Sequence, residues 1–244
     1  MNLLQIHNIS KKFGGLQAVD RFNLELDKGE IVGLIGPNGA GKTTIFNLLT
    51  GVHSPDYGQV SFMGRNINHL KPYDICKAGI ARTFQVVKPF LNRTVLFNVT
   101  VGSLIKNCDP KEAEKRALNI LEFTDLLNKK DMLAKSLTIA DRKRLEIARA
   151  LATEPTLILL DETMAGLNPA ETEMAINLVK KISKEMDITI LLIEHIMQVV
   201  MTLSDRVAVL NYGKKIAEGC PIDISKNKEV IKAYLGEEYA TIES

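Results

Sequence analysis

The sequence has no charge surplus, no paired cysteines and no long apolar run, and each absence removes a class of function. Its 31 Lys and Arg against 29 Asp and Glu leave a formal net charge of +2. That balance builds neither the basic field a nucleic acid requires nor an acidic field for cationic partners, so no nucleic acid partner is expected. The three cysteines, Cys76, Cys108 and Cys220, are widely spaced, form no CxxC pair and have no histidine at metal-ligand distance. They are expected to be reduced structural thiols. The longest apolar runs, such as Leu157 to Leu160 and Ile188 to Ile193, fall far short of the ~18 to 20 residues that cross a bilayer. Met1 to Ile9 lacks the basic-then-apolar layout of a signal peptide. The chain is therefore expected in the cytoplasm, reaching a membrane only through a partner. No internal repeat, low-complexity stretch or linker is visible. A composition of 45% hydrophobic and 25% charged residues over 244 positions fits one globular domain with an inserted subdomain.

Residues 3 to 9, 22 to 27 and 59 to 63 read as strands, bounded by turn signals at Gly14-Gly15, Lys28-Gly29 and Tyr57-Gly58. Short apolar runs then follow at Ile31 to Ile35, Ile80 to Phe84, Leu157 to Leu160 and Ile188 to Ile193. Helical stretches separate them, which implies an α/β core with a parallel sheet. From Thr94 to Thr153 the pattern is mainly helical and interrupts that alternation. One helix there is announced by Asp109 as N-cap, Pro110 at the first position and acids in the first turn. Asn168-Pro169 opens a further helix to about Met186, and Ser225 to Gly236 reads as a last short helix.

Gly36-Pro37-Asn38-Gly39-Ala40-Gly41-Lys42-Thr43 fits G-x-x-x-x-G-K-[ST] between an apolar strand and a helix beginning near Thr43, the context this motif requires. Glycines let main-chain N–H groups turn onto phosphates, Lys42 brings charge to the β and γ phosphates, and the Thr43 hydroxyl suits Mg²⁺. A Gly-rich turn that happens to contain Lys is the plain alternative. Leu157 to Leu160 runs into Asp161-Glu162, which places two carboxylates at the sheet edge where open α/β sheets bind ligands. Asp161 suits Mg²⁺ through its water shell, and Glu162 can polarise the water attacking the γ-phosphate. Gln85 and His195 also follow apolar strands, so four strand ends are expected at one crevice. Gln85 could sense Mg²⁺ and water, and His195 could hold the γ-phosphate. Each alone would more often be a solvated or structural residue.

Together, Lys12-Phe13-Gly14-Gly15, the Gly36 to Thr44 loop, Thr83-Phe84-Gln85, Leu160-Asp161-Glu162 and Glu194-His195 resemble the nucleotide-binding domain of ABC transporters across essentially the whole chain. The resemblance implies a P-loop NTPase fold with a β-rich N-terminal subdomain and an inserted helical subdomain. It divides the chain into a core over 1–90 and 154–224, a helical subdomain over 91–153 and a C-terminal tail over 225–244. It also implies ATP and Mg²⁺ as cofactors, Phe13 stacking on adenine, and catalytic roles for Gln85, Glu162 and His195. Two such domains would sandwich two ATP molecules head to tail, with the helical insertion docked on transmembrane permease subunits at the cytoplasmic face. The Ala165-to-Glu171 loop, the Val209-to-Gly219 hairpin and Ala233-Tyr234-Leu235-Gly236 resemble ATP-binding subunits of branched-chain amino-acid importers, which also work with an extracytoplasmic substrate-binding protein.

One segment departs from the family pattern. Where its members read Leu-Ser-Gly-Gly-Gln, this chain reads Leu137-Thr138-Ile139-Ala140-Asp141. Ile139 and Ala140 remove the glycine-like freedom, and Asp141 adds negative charge near a phosphate position. Local structure alone accounts for the segment as a capping box opening a helix to about Thr153, with Arg142, Lys143 and Arg144 on its solvated face. The family's signature acts on the opposite subunit's nucleotide, so a heterodimer with a second, different ATPase subunit is expected. Asn168 likewise stands where many relatives carry Asp. Two alternatives stay open at this stage. One is a soluble assembly-type ABC ATPase, which the Asn168-Pro169 loop and the Asn211-to-Gly219 hairpin do not resemble. The other is a nucleotide-dependent clamp with little hydrolysis, against which the retention of Lys42, Glu162 and His195 argues.

Overall fold

A computed structural model describes residues 2–85, 88–106 and 109–235. Along the chain come β1 (Asn2–Phe13), β2 (Leu16–Asp27), β3 (Ile31–Ile35), α1 (Lys42–Leu49), β4 (Tyr57–Phe62), β5 (Arg65–Asn66), α2 (Pro72–Ala78), β6 (Ile80–Arg82), α3 (Val95–Ser103) and α4 (Pro110–Phe123). Then follow α5 (Ile139–Leu151), β7 (Leu157–Asp161), α6 (Pro169–Met186), β8 (Thr189–Ile193), α7 (Met197–Leu203), β9 (Arg206–Asn211), β10 (Lys214–Gly219), α8 (Pro221–Lys226) and α9 (Lys228–Leu235). The chain forms two compact units, residues 1–72 with 189–244, and residues 73–188. Among the described residues no helix is long and apolar enough to cross a membrane.

In the first unit, β1 pairs antiparallel with β2 and β4. Alternation sets the buried face: Leu4 and Ile6 on β1 and Phe22, Leu24 and Leu26 on β2 are buried, while His7 and Glu25 face out, the period of two a half-covered sheet demands. β1 and β2 run well beyond the expected 3–9 and 22–27. Ladder bonds continue through polar Lys11 and Lys12 to Phe13 opposite Leu16, with bulges absorbing the register shifts, and no hydrophobic pattern marks that extension. β3 pairs parallel with β8 and β9. Every residue of β3 and β8 is buried, as the unbroken apolar runs foretold. β9 returns antiparallel into β10 through Tyr212 and Gly213, both at positive φ. The expected last helix is two, α8 and α9. Asn227 separates them, and its side-chain oxygen accepts from the N–H groups of Glu229 and Val230, a cap that starts a new helix. Gly236, the expected end, lies outside the described residues.

In the second unit, β6 pairs parallel with β7 and stops at Arg82, short of the expected Phe84. The helices of 95–151 share a core of Val95, Val99, Ala117, Leu121, Leu126, Leu137, Leu145 and Ala148. Asp109 caps α4 through Lys111 N–H, with Pro110 at the first position, as expected. Asn168 caps α6 reciprocally: its side chain accepts from Glu171 N–H at 2.9 Å and Glu171 accepts from Asn168 N–H at 3.0 Å. Replacing Asn168 by Ala is expected to lower stability by about 1 kcal/mol, and Asp, an equally good cap, to leave it unchanged. Urea denaturation of the three proteins checks this.

Candidate nucleotide site

The first unit holds the glycine loop. A Cβ on Gly36 would lie 2.1 Å from the Leu210 carbonyl oxygen, and one on Gly41, at φ 108°, would lie 2.4 Å from that of Ala18. Both positions exclude any side chain. Gly41 is the N-cap of α1 and supplies no side-chain cap, so acceptors for the first turn's N–H groups have to come from outside the helix. Lys42 is buried, and its ammonium donates to the carbonyl oxygens of Gly36 at 2.7 Å and Pro37 at 3.0 Å. Gly213 N–H donates to Ala40 O at 2.9 Å, and Asp20 N–H donates to Gly213 O at 2.9 Å, so the β9–β10 turn props the loop from behind. Tyr234 of α9 also meets the loop: burial pushes its phenol pKa up, partly offset by a hydrogen bond from the Gly36 backbone. Thr43 is exposed and Thr44 half-buried, while Asn38 and Gly39 face solvent. Phe13, at the end of β1, is 42% exposed, in a T-shaped contact with His53 at 5.1 Å and with the Lys11 ammonium over its ring at 5.7 Å. His195, two residues past β8, is exposed beside buried Glu194.

The second unit holds the carboxylates and Gln85. β7 delivers Asp161, which is 2% exposed, and Glu162 follows at φ 49°. A left-handed residue other than glycine costs about 1 to 2 kcal/mol. Gln85 Nε2 donates to Glu162 Oε2 at 2.7 Å, so these two expected residues are brought together. Arg82, at the end of β6, donates to Asp161 Oδ2 at 2.7 Å. Asp161 N–H donates to the Thr83 hydroxyl at 3.0 Å. Lys143 Nζ donates to the Glu162 carbonyl oxygen at 3.0 Å, and Phe84 N–H donates to Glu146 Oε1 at 3.0 Å. Burial raises the Glu146 pKa, opposed by the Phe84 N–H and the charges of Arg149 and Lys143.

Arg82, Lys143, Glu146 and Tyr234 are contacts that sequence reasoning missed. A signal existed for two of them: Arg82 closes a buried strand, and Glu146 sits among Leu145, Ile147 and Ala148, positions where a charge demands a partner.

The departing segment keeps its local job. Thr138 caps α5, its hydroxyl accepting from Asp141 N–H at 3.1 Å, and the helix ends at Leu151 with Ala152 as its C-cap, near Thr153 as expected. Ile139 is 65% exposed and Ala140 half-buried. Two expectations are corrected. The charge of Asp141 is balanced, because its carboxylate, 6% exposed, takes Lys129 at 2.5 Å and the Thr138 hydroxyl at 2.9 Å. Arg142, Lys143 and Arg144 are half-buried rather than a solvated face. Arg142 donates to the carbonyl oxygens of Leu137 and Lys135 and Lys143 to that of Glu162, so main-chain acceptors draw these two inward.

A strand that enters a glycine loop and continues as a helix defines a P-loop nucleotide-binding fold. The ABC transporter family model matches residues 19–165, and that of the branched-chain amino acid ATP-binding cassette transporter matches residues 214–240. The chain is 42% identical to the high-affinity branched-chain amino acid transport ATP-binding protein LivG of Salmonella typhimurium, over 96% of this chain and 98% of that one. It is 39% identical to the corresponding BraF of Pseudomonas aeruginosa over the same shares. A crystal structure of a nucleotide-free ATP-binding cassette from an ABC transporter superimposes with a TM-score of 0.89 at 34% identity, covering 97% of this chain and 100% of that one. The chain belongs to the ABC transporter family.

Burial raises the Asp141 pKa, but the hydrogen bonds from Lys129 and Thr138 and the charges of Lys129 and Arg144 outweigh it and hold the carboxyl below its ordinary value. A depressed folded pKa adds stability that is fully present above the unfolded value of about 4 and is lost as pH falls through the folded value. Wild type is therefore expected to exceed Asp141→Asn by up to about 1 kcal/mol at pH 7. Denaturation midpoints of the two proteins should converge as the pH is taken below about 4.

Proposed function

We propose that this chain is the ATP-binding and ATP-hydrolysing subunit of a membrane importer of branched-chain or related amino acids. The observation that carries the reading is a full-length similarity to transport ATP-binding proteins of that class, joined to the separate match of residues 214–240 to the branched-chain type. A soluble assembly ATPase has no comparable support.

In the reaction so assigned, the N–H groups of Gly39 and of Gly41 to Thr44 and the ammonium of Lys42 bind phosphate oxygens, and the half-exposed Phe13 ring stacks on adenine. Glu162 accepts a proton or hydrogen bond from the attacking water, Gln85 orients that carboxylate through the amide contact at 2.7 Å, and His195 holds the γ-phosphate. These are transition-state interactions, worth most where water is excluded. The side chains suit Mg²⁺: in the first unit Thr43 offers a hydroxyl oxygen, and in the second Gln85 offers a carbonyl and Asp161 a carboxylate that would act through water. No cluster of three or more His, Cys, Asp or Glu that would make an all-protein metal cage occurs among the described residues. Mg²⁺ is usually held by one or two protein oxygens with phosphate and water. When bound, the ion neutralises charge building on the phosphates. Arg82 holds one oxygen of Asp161 and so fixes the orientation of that carboxylate.

The helical segment 91–153 is the arm for transmembrane permease subunits at the cytoplasmic face, and an extracytoplasmic substrate-binding protein feeds them. Exposed Ile139 and the absence of glycine in Thr138 to Asp141 favour a second, different ATPase subunit over a homodimer. Glu162→Gln is expected to bind ATP with wild-type affinity while the assembled complex loses most of its phosphate release. Near-wild-type turnover would sink the assignment. The purified chain hydrolysing ATP alone as fast as it does with a second ATPase subunit would instead indicate a homodimer.

A further inference from the structure

The contacts of α5 extend that reading, and the inference rests on it. Lys143 and Glu146 are three residues apart on this helix, the spacing that puts two side chains on one face. Each reaches a main-chain group. Glu146 is 7% exposed, and it accepts from the N–H of Phe84 at 3.0 Å. Phe84 is the second residue past the end of β6 and the residue before Gln85. Burying a carboxylate against a peptide N–H is costly compared with an apolar residue that simply packs. Without Glu146 that N–H would lose its acceptor just where the chain leaves the sheet. Lys143 reaches the other partner of the pair: its ammonium donates to the carbonyl oxygen of Glu162 at 3.0 Å, on a residue held at φ 49°. Gln85 and Glu162 in turn meet at 2.7 Å. One helical face thus holds the backbone on both sides of the side-chain contact between Gln85 and Glu162.

We propose that Lys143 and Glu146 are positioning residues for hydrolysis, a two-point clamp from α5 that fixes the backbone at Phe84, next to Gln85, and at Glu162, and so sets the direction of the Glu162 carboxylate. Neither needs to touch nucleotide. What the clamp requires of Glu146 is an acceptor oxygen, not a charge, and what it requires of Lys143 is a donor that reaches the Glu162 carbonyl.

Hydrogen–deuterium exchange on the full-length chain reads the first point directly. The peptide containing Phe84 and Gln85 is expected to exchange roughly tenfold faster in Glu146→Ala and at the wild-type rate in Glu146→Gln, whose amide oxygen still accepts. Hydrolysis of MgATP by the assembled complex reads both points. Glu146→Ala and Lys143→Met are expected to lower kcat by roughly tenfold or more while KM for ATP stays within about twofold, and Glu146→Gln and Lys143→Arg to recover most of it. Unchanged exchange in Glu146→Ala, wild-type kcat in Glu146→Ala or Lys143→Met, or a Glu146→Gln variant as slow as Glu146→Ala would each overturn the clamp. Thermal melts check folding, and Lys143→Met, which keeps an unbranched side chain of similar length and loses the ammonium donor with its charge, carries the test if Glu146→Ala does not fold. Glu162→Gln is run alongside. Its retaining turnover would refute the role given to Glu162, whereas the exchange of Phe84 and Gln85 would still decide the Glu146 contact.

Discussion

A buried strand ends with peptide groups that have lost their ladder partner and cannot turn to water, and the way each end resolves this shapes the candidate site. Past β6, Thr83 N–H still donates to Leu159 O, but Phe84 N–H takes a side chain, Glu146. Past Leu160, Asp161 N–H takes the Thr83 hydroxyl and Glu162 O takes Lys143. Past β3, the loop is satisfied from several sides: Lys42 covers the carbonyls of Gly36 and Pro37, and Gly213 N–H covers that of Ala40. The residues expected to act on nucleotide are those that these substitutions leave pointing out of the sheet. Function is located where regular hydrogen bonding stops, because only there can a backbone turn sharply enough to present N–H groups or a carboxylate outward.

The same fact explains what could be read from the sequence. Local rules sufficed for the glycine loop between β3 and α1, for the Asp109 and Asn168 caps, and for the buried runs of β3, β7 and β8, since each depends on neighbours a few residues away. The satisfying partners were invisible because they come from far along the chain. Arg82 and Asp161 are 79 residues apart, Phe84 and Glu146 62, and Gln85 and Glu162 77. Gln85 and Glu162 could each be named as strand-end residues, but that they touch could not. The overextended β1 and β2 and the break at Asn227 were missed for a related reason: main-chain pairing and a single cap decided them, and neither leaves a mark on hydrophobic periodicity.

The segment Thr138 to Asp141 shows how a changed sequence can keep one property and shed another. Starting a helix requires only a cap, which Thr138 supplies. An acid at Asp141 would disfavour a nearby phosphate, yet its carboxylate is turned onto Lys129 and the Thr138 hydroxyl. The opening of α5 therefore carries a neutralised pair rather than a bare charge, and its aligned peptide dipoles still present positive potential. What the segment has lost is steric, since an exposed isoleucine stands where the family pattern has no Cβ. The altered end therefore differs from the family pattern in the approach it allows rather than in the sign of its field. The same helix carries Lys143 and Glu146 one turn further on, and these grip main-chain groups of the chain's own site. The opening of α5 thus presents the exposed Ile139 outward, while a turn later the helix is tied to the main chain of Phe84 and Glu162.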